Sequence, residues 1–285
     1  MKVIYVAVFT SQSTNYAQSD GLKKIGCEVI EYSYRDRSSI LGTQKRDDEL
    51  IELVRQEKPD IVIFAKCPCI DIRVIHECNK VCNTCLWFMD AFIPGHWNSI
   101  LIDKIKYCSF TCCDKPQAVT EGLKYNKNVY YVCEGFDHLV DKPFDLEQDI
   151  NVSFIGGIYG ERGRLLPKDC QVFTSSYGEE HAKIVSRSKI NLNFCTTACA
   201  SDRVYKVMSA KGFLITNDWV GGQFIDQQDL IIFRDKQDLD NKIKYYLANK
   251  DLRDKIREQG YQSVQKYSRV NWAQNIIDIY NNLEK

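Results

Sequence analysis

Between residues 2 and 132, short runs that are apolar throughout alternate with amphipathic stretches, and this alternation narrows the fold more than any other feature of the chain. The runs Lys2–Phe9, Cys27–Ser33, Asp60–Ala65, Thr84–Phe88, Cys108–Cys112 and Asn128–Val132 read as strands. A strand with no polar alternation is buried on both faces, which calls for a parallel sheet covered by helices. Asn15–Ile25, Asp47–Gln56, Asp71–Val81, Ser99–Lys106 and Lys115–Lys124 supply those helices, and in Asp47–Gln56 the apolar positions are Leu50, Ile51, Leu53 and Val54. Lys58-Pro59-Asp60 stops one helix and opens the next strand.

The pattern breaks over Glu134–Asp149, which is acidic, carries Gly135 and Pro143 and has neither period. It reads as an interdomain connection, with domains at 1–140 and 150–285 and a linker at 141–149. The strand and helix signals then restart. Strands are expected at Ile150–Ile155, Gln171–Thr174, Ile190–Phe194, Phe213–Thr216 and Leu230–Phe233. Helices are expected at Glu179–Arg187, Asp202–Ala210, Lys236–Ala248, Lys250–Tyr267 and Val270–Leu283. The whole is an α/β chain of two Rossmann-like halves, a class in which ligands sit at the carboxyl ends of strands. Fold alone does not assign a function.

Charge removes one class of partner. Lys+Arg and Asp+Glu are 38 each, so a strongly basic nucleic-acid binder is excluded, although a local basic patch is not. No apolar run approaches the roughly 18 residues of a membrane span. The first residues read as a strand, not a signal peptide. Cysteine is abundant at 13 copies, an odd number, which points to reduced thiols in the cytoplasm. Cys78, Cys82 and Cys85 have the spacing of a radical-SAM iron–sulfur site, yet the same spacing suits core cysteines on a helix and a strand. Cys67, Cys69, Cys112 and Cys113 lack the paired knuckles of a zinc site. His76 and His181 fall in helices and read as structural.

Candidate chemistry gathers at the ends of predicted strands. Gly156-Gly157 follows the strand ending at Ile155, where backbone amides can approach a phosphate, with Arg162 or Arg164 beside them. This is neither a Walker loop nor a GxGxxG motif, and a plain glycine turn fits it as well. Ser201-Asp202 opens a helix whose Arg203 and Lys206 lie on one face, suited to a diphosphate or to solvent. Asp90 ends the Leu86-Trp87-Phe88-Met89 strand, where a carboxylate can accept a hydroxyl proton or cap a turn. Tyr34 and Arg35 leave another strand end and, with Ser11, are acceptor-side candidates that also suit an ordinary polar loop.

Four ordered segments carry a resemblance. NVSFIGGIYGERGRLL from Asn151, HAKIVSRSKINLNF from His181, SDRVYKVMSAKGFLITND from Ser201 and the tail from Asp238 resemble the carboxyl-terminal domain of GT-B glycosyltransferases, in the group 1 or spore-maturation protein CgeB-like group. The first half is similar more loosely, through KPDIVIF and WFMD. The resemblance implies two Rossmann-like domains facing each other across a cleft, with helix 270–283 crossing back to pack on the first. It implies a sugar moved from a nucleotide-diphosphate donor, a UDP-sugar above all, to an acceptor hydroxyl, the sugar being a hexose. Gly156, Gly157, Arg162, Tyr177, Arg203 and Lys206 would bind the donor, with Tyr177 facing the base, and Asp90 would be the base of an inverting reaction.

The sequence departs from that family at Lys206, where many relatives carry a Glu that bonds ribose hydroxyls, and at Ala198, where a second Glu is common. Lysine donates but cannot accept. With no Asp-x-Asp cluster suited to holding a catalytic metal, metal-independent activity without a cofactor is expected. The acceptor stays open among a polysaccharide, a protein, a small molecule and a modified base of viral DNA. A non-catalytic nucleotide-sugar-binding module and, remotely, a radical-SAM enzyme are the alternatives.

Overall fold

The computed structural model of the chain describes residues 1–10, 13–90, 92–93, 95–195, 201–217 and 222–283. It separates into unit 1, Met1–Glu134 with Arg269–Lys285, and unit 2, Gly135–Ser268.

Unit 1 runs β1 (Lys2–Ala7), α1 (Asn15–Lys24), β2 (Glu28–Ser33), α2 (Tyr34–Leu41), α3 (Thr43–Glu57), β3 (Ile61–Ala65), α4 (Ile72–Cys78), β4 (Asn83–Phe88), α5 (Ser99–Tyr107), β5 (Phe110–Cys113), α6 (Pro116–Gly122) and β6 (Val129–Tyr131). The strands form one parallel sheet in the order β2-β1-β3-β4-β5-β6. Alternate residues serve alternate faces. Ile4, Val6, Val62, Phe64 and Leu86 pack with Leu50, Val54, Val74, Ile75 and Ile105 of α3, α4 and α5. Tyr5, Ile63, Cys85 and Trp87 pack with Leu22 of α1 and with Trp272, Ala273 and Ile276 of the last helix, Arg269–Asn281. That helix meets α1 backbone to backbone: a Cβ on Gly21 would lie 2.5 Å from the carbonyl oxygen of Arg269. The indole of Trp272 meets Trp87 edge to face at 5.5 Å.

Three expectations are corrected here. The stretch from Tyr34, read as a polar loop, is helical because its polar groups find partners on α3. Arg37 pairs with Glu49, and the buried Arg46 guanidinium donates to Ser38 Oγ at 2.6 Å as well as to Asp47 and the Cys69 carbonyl. Residues 141–149 are not a free linker but part of unit 2. The Phe144 amide donates to Ser186 Oγ at 3.0 Å, and Asp149 pairs with Arg187 at 2.6 Å. An acidic composition marks a surface segment, and this one is fastened along its length.

The iron–sulfur alternative also fails on geometry. Cys78 belongs to the core on one face of the sheet and Cys85 to the core on the other, so the two thiols cannot close on one cluster. Cys112 and Cys113 are divided in the same way. Burial pushes the Cys82 thiol up to about 11, the state of a core thiol rather than a ligand thiolate.

Unit 2 runs β7 (Ile150–Ile155), α7 (Arg162–Leu165), β8 (Gln171–Phe173), α8 (Gly178–Arg187), β9 (Ser188–Asn193), α9 (Asp202–Ser209), β10 (Leu214–Asn217), β11 (Ile231–Phe233), α10 (Lys236–Ala248) and α11 (Lys250–Val264). Its parallel sheet has the order β11-β10-β9-β7-β8. Phe154, Leu192, Phe194, Ile215 and Phe233 pack on Leu239, Ile243 and Tyr246 of α10. The opposite face carries a buried polar row, in which Ser153 Oγ donates to Asn191 at 3.1 Å and Asn193 Nδ2 to Thr216 Oγ1 at 3.0 Å. The chain leaves the adjacent strands β7 and β9 toward opposite edges of the sheet, the arrangement that opens a crevice beyond their carboxyl ends.

Candidate functional site

That crevice in unit 2 is a pocket of about 210 Å³ lined by Gly156, Gly157, Phe173, Thr174, Ser176, Tyr177, His181, Asp202, Arg203 and Lys206. Five of the six residues expected to hold a donor therefore share one wall. Gly156 works differently from the expected phosphate cradle. Its amide donates to the Phe173 carbonyl at 2.8 Å, extending the β7–β8 ladder. What glycine provides is room: at φ +145° a Cβ here would stand 2.5 Å from Nη2 of Arg203.

Arg203 reaches that position from the first turn of α9. Ser201, at the N-cap position, gives its hydroxyl to Asn193 Oδ1 at 3.2 Å, so no side chain caps the helix. Arg203 Nη1 donates to the same oxygen at 2.8 Å. The guanidinium lies 5.3 Å from the Phe154 ring, and that of Arg162 lies 5.7 Å from it. Burial, and after it the opposing influence of Asp202 and the nearby positive charge of Arg162, leave the Arg203 pKa below its ordinary value. Among the described residues neither arginine donates to a carboxylate. An anion in the pocket would relieve both the desolvation and the repulsion. Lys206, one turn on, pairs with Asp202 at 2.8 Å.

Arg162 is the exception among the donor candidates. Its side chain is buried, and it donates to the carbonyls of Gly157 at 2.9 Å and Phe194 at 3.1 Å, with Tyr159 stacked at 3.9 Å. It lines a separate cavity of about 870 Å³ beyond β9, β10 and β11. With both guanidinium ends turned to protein carbonyls, it holds the glycine loop against β9 instead of presenting charge to the pocket. Tyr177 is 56 % exposed and begins α8, which also lacks a side-chain cap. Two helix amino ends thus meet the pocket, each with unsatisfied amides and partial positive charge.

Sequence reading missed His181. From sequence it reads as structural, and it does sit in α8 at only 6 % exposure, but it lines the pocket. Among the described residues neither ring nitrogen has a hydrogen-bond partner. Burial, and after it the Lys206 charge, push its pKa down to about 3, so the imidazole is neutral. The available signal was its place in the first turn of the helix that opens after Tyr177.

In unit 1, Asp90 follows β4 and forms an ion pair with Lys66 at 2.5 Å. Both line a pocket of about 190 Å³ with Phe88, His96, Asn98 and Lys104. Lys66 and Cys67 have left-handed backbones, φ +59° and +49°, so the turn after β3 is strained where it presents this lysine. Two acceptor-side expectations are altered. Tyr34 is 1 % exposed and packs in the core, so it cannot stack on an acceptor, whereas Arg35 is exposed beside it. Ser11 and Ala198 lie outside the described residues.

Three solved structures align along almost the entire chain. Anabaena HepE in complex with UDP and glucose matches with a TM-score of 0.72 at 8% identity, over 99% of this chain and 100% of that one. A glycosyltransferase from Rickettsia africae matches at 0.68 and 13% identity, over 99% and 98%. Sucrose-phosphate synthase from Thermosynechococcus elongatus matches at 0.68 and 10% identity, over 99% and 98%. The chain has the GT-B fold. Residues 143–278, which cover the pocket of unit 2 and all its walls, also match a family model described as Glycosyl transferase-like. No curated protein matches the sequence. The crevice beyond β7 and β9 and the Lys66–Asp90 pocket hold most of the candidate residues among those described. No helix among the described residues is long and apolar enough to cross a membrane.

Proposed function

We propose that the protein is a glycosyltransferase that takes a sugar from a nucleoside diphosphate and passes it to an acceptor hydroxyl. The observation that carries this reading is Arg203: a half-buried cation, without a carboxylate partner among the described residues, in a pocket where two helix amino ends without side-chain caps meet. The glycosyl transferase-like match over the same residues supports it, as does the UDP held by HepE, a protein of the same fold. A UDP-hexose is the proposed donor, and the CgeB-like group is the proposed affiliation.

In this reading Arg203, Lys206 and the amino end of α9 stabilise the diphosphate as negative charge builds on it. Tyr177 faces the base. Asp90 takes the proton of the acceptor hydroxyl as that oxygen bonds to the anomeric carbon and the bond to the diphosphate breaks. Lys66, paired with the Asp90 carboxylate, orients it. The chemistry needs no metal, because the protein's own cations meet the leaving group. The reduced cysteines suit a cytoplasmic setting.

Thermal shift with UDP, GDP, ADP and CDP, and with their sugar conjugates, tests the proposal. A ligand at 100 times its Kd adds about 2.7 kcal/mol. A shift with one nucleotide, followed by slow hydrolysis of its sugar conjugate, supports a transferase. A shift with no turnover favours a binding module of the same fold. No shift with any of them overturns the nucleotide-sugar reading.

A further inference from the structure

The pocket of unit 2 is rich in groups that donate. The Arg203 guanidinium and the Lys206 ammonium carry only N–H donors, and the two helix ends present amides. Such a wall satisfies phosphate oxygens, which only accept. It does not satisfy a hydroxyl, which must also place its own proton. Asp202 can accept, but its carboxylate is paired with Lys206, and the hydroxyls of Thr174, Ser176 and Tyr177, which also accept, belong to residues that are not buried.

His181 supplies the complementary chemistry. It is buried at 6 % exposure, it lines the same pocket, and both ring nitrogens lack a hydrogen-bond partner among the described residues. A buried ring with neither nitrogen satisfied is costly unless a ligand completes it. A neutral imidazole offers one donor and one acceptor, the pair of functions that a hydroxyl uses. We propose that His181 is a donor-binding residue that accepts a hydrogen bond from a hydroxyl on the ribose of the nucleoside diphosphate, and so selects ribonucleotides over their deoxy forms. This rests on the nucleotide-sugar reading of the pocket and deepens it.

The same geometry explains why the residue is histidine. A carboxylate at this position would pair with Lys206 and Arg203 and cancel the charge that draws the diphosphate. An apolar residue would leave the hydroxyl unsatisfied. The uncharged ring accepts without neutralising either cation.

Calorimetric titration of the full chain decides the matter, using UDP, GDP, ADP and CDP, the 2′- and 3′-deoxy forms of whichever binds most tightly, and inorganic pyrophosphate. For the wild type, one deoxy form is expected to bind about ten-fold more weakly than its parent. His181→Leu is expected to weaken the ribonucleotide by about the same factor and to abolish the preference, leaving pyrophosphate unchanged. His181→Asn, which keeps a donor and an acceptor, is expected to recover most of the preference. Far-ultraviolet circular dichroism identifies any variant that fails to fold, and the wild-type deoxy comparison then stands alone as the test. Tight ribonucleotide binding with no loss for either deoxy form, or an undiminished preference in folded His181→Leu, overturns the assignment to His181 while leaving the nucleotide site intact. Binding of pyrophosphate without any nucleotide preference, or no binding at all, overturns both.

Discussion

Nη2 of Arg203 lies 2.5 Å from where a Cβ on Gly156 would stand, so the glycine and the arginine occupy one another's space by design of the backbone. Gly156→Ala must displace the guanidinium and also strain a backbone at φ +145°. The expected outcome is a folded protein, about 1–3 kcal/mol less stable, whose nucleotide affinity falls at least about ten-fold. Calorimetry read beside the thermal midpoint separates the two effects. Unchanged affinity would show that Arg203 does not meet the ligand.

Arg162 predicts the reverse pattern. Its two charge-assisted bonds, to Gly157 and Phe194, are internal to the protein. Arg162→Ala should cost about 3 kcal/mol, a drop of several degrees in Tm, because it leaves two carbonyls without their donor. Arg162→Lys should not rescue it, since an ammonium cannot span both carbonyls. Chemical denaturation checks this, and a variant of normal stability with lost donor binding would reassign Arg162 to the ligand.

His181 gives stability a defined pH dependence. Its folded pKa is about 3, below the ordinary imidazole value of 6.5, so the unfolded chain binds the proton more readily. Its contribution is therefore complete above pH 6.5 and declines as pH falls from there toward 3, approaching about 4 kcal/mol of lost stability. His181→Asn should flatten the slope in that window. Urea midpoints measured from pH 7 to pH 4 for both proteins test it, and parallel curves would refute it.

For Asp90, replacement by Asn keeps the shape of the side chain and removes its basicity. Turnover should fall by about 100-fold or more, with donor affinity unchanged, if the carboxylate takes the acceptor proton. Lys66→Ala should lower turnover less. Steady-state rates with calorimetric donor binding provide the check, and normal turnover in Asp90→Asn would move the base elsewhere, with His96 in the same pocket the next residue to substitute.

Parallel sheets were legible because their strands are apolar without interruption, and nearly every predicted strand is present within a residue or two. Glycines after β7 and cations early in α9 could be placed at strand and helix ends for the same local reason, and they line one pocket. What lay beyond local reading was the pairing of distant groups. Tyr34–Leu41 carries Arg37, whose partner Glu49 is on the next helix, and a polar segment satisfied by another segment looks like a loop in isolation. The Arg162 carbonyl partners are set by how β9 lies beside β7. His181 could be placed on a helix but not against a pocket, since its emptiness of partners exists only in three dimensions.

Glu134 is the last residue of unit 1 before the chain departs, Arg269 is the first after it returns, and the two are paired at 3.3 Å with the guanidinium wholly buried. Unit 2 is thus an insertion within unit 1, and the Trp272 face of the first sheet is covered by residues made after unit 2. During synthesis, the sheet holding Asp90 waits for the helix that seals it, while the segment carrying Arg203 is already complete. A chain cut after residue 268 would keep every residue of unit 2 yet leave the Trp87 face of the first sheet bare, an apolar surface of the kind a chaperone covers.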